Sequence, residues 1–317
     1  MILNGHEEAW REWRAAMASP RMHHAWILAG KQGIGKGSFA RAAAMALVRE
    51  PGVPQPDQHP DILVLDHLPA NDDEEKKRAE GKPFSVKRNI TIAQIRAMQG
   101  RLTTRPTLGS RRVVIIDPAD DMEKGAVNAL LKSLEEPPSG TYFLLVAHRP
   151  GRLLPTIRSR CRILRFNPVS DDEVSAILAK AMPHVDAATR AAAVAAAEGS
   201  PGAALDFVGE DLGVLHGLML RILSGADPHF DRRAGLAEAI GARPSRERIQ
   251  ATLELARAVL AGELAAAGRE RQLRIIEAHG AITRLSAQAP TYNFDPGLLA
   301  MEIGGLLARA AMPRETA

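Results

Sequence analysis

The sequence predicts two regimes: an α/β domain on a parallel sheet over residues 1–166, then helices alone to residue 317. Short, continuously apolar runs alternate with helix-spaced segments in the first half, as expected of strands covered on both faces. Beyond Phe166 those runs stop, and apolar residues recur at helical spacing. A chain of 317 residues is also longer than one core usually organises.

In chain order, the apolar runs predict strands at Ala25–Ala29, Ile62–Leu65, Val113–Asp117 and Tyr142–Ala147, with a shorter fifth at Ile163–Phe166. Helices are predicted over Lys36–Arg49, Ile92–Leu102 and Lys124–Glu135. Pro137 and Pro138 stop the last of these, because proline has no N–H and clashes with the preceding turn. Residues 70–89, an acidic run Asp72–Glu75 followed by the basic stretch Lys76–Arg88, read as a solvated loop.

Ser170 caps a helix reaching Ala181, with Asp171, Asp172 and Glu173 at its positive end. A second helix runs from about Asp186 to Glu198, ended by Gly199, and Gly202–Val208 makes a third. From Asp211 the pattern is helical, with breaks near Gly225–Pro228, Gly241–Pro244, Gly268, Pro290 and Pro296. Leu253, Ala256, Leu260 and Leu264 share a helix face, and Leu273, Ile276 and Leu285 are expected to do the same. The resulting domain limits are 1–166, 167–210 and 211–317.

With 45% hydrophobic and 25% charged residues, the chain has the composition of a globular protein and not of a disordered or fibrous one. A net charge of +4 is too mild to require a nucleic-acid partner. No window approaches the roughly 18 apolar residues of a membrane span. His6, Glu7 and Glu8 stand where a signal peptide would be apolar, so no membrane association and a cytoplasmic location are expected. Cys161 is the only cysteine, which excludes an internal disulfide and a cysteine-rich zinc site.

Gly30-Lys31-Gln32-Gly33-Ile34-Gly35-Lys36-Gly37 follows the first predicted strand and opens a helix. Glycines let backbone N–H groups turn around an anion, and the helix N-terminus adds partial positive charge. Lys36 would reach the terminal phosphates, so Gly30, Gly33, Gly35, Lys36 and Gly37 are candidate phosphate-binding residues. Such a loop normally has Ser or Thr after the lysine to hold Mg²⁺, and here Gly37 has no hydroxyl. Ser38 is no substitute, since one helical step turns it about 100° away. Asp117, at the end of the third strand, could hold Mg²⁺ through water, but Pro118 follows it and offers no carboxylate to polarise an attacking water.

Asn128-Ala129-Leu130-Leu131-Lys132-Ser133-Leu134-Glu135-Glu136-Pro137-Pro138 and Arg152-Leu153-Leu154-Pro155-Thr156-Ile157-Arg158-Ser159-Arg160-Cys161 carry a family likeness. Together with His59-Pro60-Asp61 and Gly199-Ser200-Pro201-Gly202-Ala203-Ala204-Leu205, they resemble the delta-prime family of the bacterial DNA polymerase III clamp loader, a branch of the AAA+ proteins. The likeness covers roughly residues 1–210; the remainder matches only in being helical. It implies an α/β P-loop (AAA+) module with a parallel sheet, then a small helical lid, then an all-α collar that holds a hetero-pentameric ring together. The partners implied are gamma/tau motor subunits, a delta subunit, the sliding clamp and, through the assembled complex, primed DNA.

The resemblance further implies that Arg160 acts in trans, at the ATP site of a neighbouring motor. Active AAA+ ATPases carry a glutamate where this chain has Pro118, and motors carry a lid arginine where it has Gly202. With Gly37, these departures imply a stationary subunit with no ATPase or polymerase chemistry of its own. No cofactor is required on this view; ATP or phosphate would bind weakly or vestigially around Lys36 and Asp117. No metal is expected, and no zinc in particular: relatives commonly carry a four-cysteine module where this chain has the cysteine-free Glu50–His59. Whether His148, near the end of the fourth strand, senses phosphate is left open. Arg101, Arg105, Arg111, Arg112 and the 76–88 stretch could meet DNA phosphates. The alternatives are an ATP-hydrolysing motor of gamma/tau or helicase-loader type, disfavoured by Gly37 and Pro118, and a small-molecule kinase, which would need neither Arg160 nor the helical tail.

Overall fold

A computed structural model describes residues 6–311 apart from 83, 226, 228, 290, 291 and 293. The chain divides into two units, Met1–Pro168 and Val169–Ala317. The first contains α1 (Glu7–Ala18), β1 (Ala25–Ala29), α2 (Lys36–Val48), β2 (Ile62–Leu65), α3 (Asp72–Ala79) and α4 (Ile92–Leu102). It continues through β3 (Arg112–Ile116), α5 (Lys124–Glu135), β4 (Thr141–Ala147), α6 (Pro155–Arg158) and β5 (Arg162–Arg165). Among the described residues the strands form one parallel sheet in the order β2-β3-β4-β1-β5.

Every residue of β1 and β3 is buried, which explains their unbroken apolar sequences. Alternate residues serve opposite faces. Ala25, Ile27 and Ala29 join Phe143, Leu145, Ile95, Met98 and Leu130 in the core under α4 and α5. On the other face Trp26 meets Trp13 of α1 edge-on at 5.4 Å, and Phe39 of α2 meets Phe166 at 4.9 Å.

Two expectations for this unit are corrected. Residues 72–79 are a helix within the stretch read as loop. The Asn71 side chain accepts from the Asp73 and Glu74 N–H groups, and acids in the first turn with bases in the last suit the helix dipole at both ends. That order of charges was the missed signal. Secondly, Arg112 cannot meet DNA, because it is 2% exposed. Its guanidinium donates to the Thr104 carbonyl at 3.0 Å and the Arg105 carbonyl at 2.8 Å, and lies 3.5 Å from Asp61. Asp61 also accepts from the Thr107 and Leu108 N–H groups at 2.6 and 2.8 Å, so the His59-Pro60-Asp61 segment anchors the loop before β3.

The second unit consists of α7 (Asp171–Ala181), α8 (Ala187–Ala197), α9 (Pro201–Gly209), α10 (Gly213–Gly225), α11 (Asp231–Ile240), α12 (Arg246–Leu264), α13 (Arg269–Gln288) and α14 (Pro296–Ala311). Ser170 caps α7 as expected, with Glu173 reaching back to complete a reciprocal cap, and Asp186, Ser200 and Ser245 cap α8, α9 and α12. Pro296 sits at the first position of α14, where its missing N–H costs nothing. Residues on both sides of position 210 lie in this unit, with α12 packed against α8 and α9. Leu253, Ala256 and Leu260 are buried as expected. Leu273 and Ile276 are not, at 56% exposed each; α13 buries Ile275, Ala278 and Ile282, a face turned away from them. No helix among the described residues is long and apolar enough to cross a membrane.

Replacing Asp61 with Ala is expected to cost about 3 kcal/mol in urea denaturation, since it strands a buried guanidinium and two backbone N–H groups. Burial pushes the Asp61 carboxyl up, but the Leu108 and Thr107 N–H groups and Arg112 outweigh it and hold it below the usual carboxylate range. Its stabilisation is therefore present at neutral pH and lost as pH falls through the folded value, so the gap between wild type and Asp61→Ala narrows in acid.

Candidate functional site

Parallel strands deliver their carboxyl ends to one edge of the sheet, and β1 lies between β4 and β5 although the chain leaves it for the far strand β2. Crevices at such switch points are the usual binding sites of open α/β sheets. The loop from Gly30 to Gly35 leaves β1 here and opens α2. Gly33 and Gly35 have φ of 74° and 103°, conformations that side chains oppose. At Gly30 a Cβ would stand 2.7 Å from the Phe166 carbonyl oxygen, so that position admits no side chain.

Lys36 is 2% exposed, and its Nζ donates to the loop's own carbonyls at Gly30 (2.8 Å) and Lys31 (2.6 Å). Burial lowers its pKa to about 8, against the opposing pull of Asp117 and Asp120. Asp117 follows β3, and its Oδ2 lies in the space that a Cβ on residue 37 would take. The next turn of α2 brings Arg41 Nη1 to 3.9 Å from the same oxygen. Burial raises the Asp117 pKa, while Arg41 and Lys36 oppose the rise.

Lys36, the loop glycines and Asp117 are thus brought together in one arrangement. It does not suit Mg²⁺ held by a hydroxyl at position 37. The Asp117 carboxylate lies in the volume that side chain would need, and a guanidinium is its nearby cation. Nor does a spare carboxylate replace the missing base. Asp120 accepts from the His148 and Arg149 backbone N–H groups, and Asp121 lies 3.2 Å from His67 Nε2. The side chain of His148 is held neutral: burial, then Lys36, lower its pKa to about 4. Sequence reasoning missed Arg41 and the tie made by Asp120; the one legible signal was a basic residue four positions after Gly37.

Arg160 stands apart from this cluster, in the turn between α6 and β5, with its side chain 35% exposed. Its Nη1 donates to the Thr156 carbonyl at 2.9 Å and to Ser159 Oγ at 3.3 Å. Nη2 pairs with Glu135 Oε1 at 2.6 Å. Next to it, burial pushes the Cys161 thiol up to about 12, which leaves it an unreactive thiol at neutral pH.

The family described as DNA polymerase III, delta subunit, matches residues 5–170, just over half of the chain. DNA polymerase III subunit delta' of Pseudomonas aeruginosa is 35% identical over 192 residues, which is 56% of this chain and 53% of that protein. The chain belongs to the delta-prime family of DNA polymerase III clamp-loader subunits. A second delta-prime relative, from Escherichia coli, is 30% identical over 204 residues, covering 60% of this chain and 56% of its own length. DNA polymerase III subunit tau/gamma of Haemophilus influenzae is 30% identical over 165 residues, 50% of this chain and 22% of that protein. The chain therefore spans about half the length of the delta-prime relatives it matches.

The lowered pKa of Lys36 has a measurable consequence. Its unfolded ammonium keeps its proton up to about 10.5, while the folded one loses it from about 8. More protons are then bound in the unfolded chain, so stability rises with pH across that window. Chemical denaturation of wild type and Lys36→Met, at pH 7 and pH 10, should show the wild type gaining relative to the variant.

Proposed function

We propose that this chain is a stationary, non-hydrolysing subunit of a DNA polymerase III clamp loader, supporting ATP-dependent placement of the sliding clamp on primed DNA. The observation that carries this is the Asp117 carboxylate packed against the bare backbone of Gly37 beside Arg41. Hydrolysis in this type of site needs a metal-binding hydroxyl and a residue that orients water. The first is absent at Gly37, the second at Pro118, and the nearby carboxylates Asp120 and Asp121 have other partners. What remains is a loop with a buried ammonium that can hold ATP or phosphate weakly and needs no cofactor.

Arg160 supplies the functional group. It leaves the phosphate loop of its own chain alone, is partly exposed, and carries a permanent charge. Projected into the ATP site of a neighbouring gamma/tau motor, it would neutralise charge that builds on the transferring phosphoryl group. The remaining partners on this reading are a delta subunit and further motors in a hetero-pentameric ring, joined through the helices after residue 210. The identity shared with a tau/gamma subunit favours, as the rival, an ATP-hydrolysing motor working through Lys36.

DNA-stimulated ATPase activity of the complex reconstituted with cognate motor and delta subunits separates the two. Arg160→Ala should lower turnover by about tenfold or more, and Lys36→Ala should leave it nearly unchanged, each variant having been shown to assemble. Damage by Lys36→Ala would establish the motor instead.

A further inference from the structure

We infer that Glu135 is a positioning residue for Arg160, a counter-ion within the same chain that holds the guanidinium back until the triphosphate of a neighbouring subunit displaces it. This rests on Arg160 acting in trans. The two segments that carry the family likeness, 128–138 and 152–161, meet at this pair, with Glu135 Oε1 2.6 Å from Arg160 Nη2. The helices that bear them, α5 and α6, pack against each other.

The geometry makes Glu135 a competitor for phosphate. A guanidinium grips an oxyanion through one of two forked edges, Nη1 with Nη2 or Nε with Nη2. Nη1 already donates to Thr156 and Ser159, which occupies the first edge. The second is the one left, and Glu135 sits on its Nη2. An incoming phosphate must therefore share or take the donor that Glu135 holds.

Helix stability does not explain the placement of Glu135. It is the last residue of α5, where a carboxylate faces the negative end of the helix dipole. The backbone beneath it is tied down: His24 Nε2 donates to the Leu134 carbonyl at 2.8 Å, and Gln99 Nε2 donates to the Ala129 carbonyl at 2.9 Å. Only the side chains are left to rearrange. They are 49% and 35% exposed, so the pair is a weak surface one that an anion of several charges can displace. A rigid base and a weak bond together make a restraint that yields to triphosphate.

The test uses the complex reconstituted with cognate motor and delta subunits, its assembly checked for each variant. Glu135→Gln keeps the shape and removes the charge; it should raise ATP turnover without DNA or clamp by about two- to fivefold. Salt screens the pair, so wild-type turnover should move toward that of Glu135→Gln as ionic strength rises. In an Arg160→Ala background the Glu135→Gln change should have no effect, which a merely structural role would not produce. If Arg160→Ala lowers turnover but Glu135→Gln leaves it unchanged or lowers it, the restraint is refuted and the trans role of Arg160 stands. If Arg160→Ala itself changes nothing, the trans role and the restraint fall together.

Discussion

Parallel pairing of β1 with β4 and β5 is the constraint on which the first unit depends. It brings the ends of β1, β3 and β4 to one edge, and with them the phosphate loop, Asp117 and the backbone N–H of His148. Because β1, β3 and β4 are covered on both faces, the polar groups gathered at that edge lie beyond the ends of these strands. The site is concentrated there for that reason.

Charge balance organises what lies at that edge. A buried ammonium at Lys36 and a half-buried carboxylate at Asp117 each carry a desolvation penalty, which the other lessens. A hydrolytic site would add a divalent cation to this pair. Here the exposed Arg41 brings positive charge to 3.9 Å from the carboxylate, and Gly37 leaves room for that carboxylate to lie against the helix backbone.

The family's sequence segments therefore divide by physical role. His59-Pro60-Asp61 is structural: Asp61 is fully buried, and its oxygens are used on loop N–H groups and Arg112. Arg160 is half-buried and Glu135 exposed, and the two pair at the surface of the unit. Two arginines in the same unit, Arg112 and Arg160, thus have opposite fates, and burial is what separates them.

The order of strands and helices was legible because it rests on local physics: apolar runs long enough for a strand, prolines after Glu136, and a cap at Ser170. So were the phosphate loop and its missing hydroxyl, since that chemistry is written in adjacent residues. The helix at 72–79, the burial of Arg112 and the exposure of Leu273 and Ile276 were decided by tertiary structure. The partners of Asp117 and Arg160 were decided there too, Arg41 and Glu135 being distant from them in sequence. Composition and spacing specify which element a residue joins. Which face is covered, and which opposite charge lies within reach, depends on elements brought together across the fold.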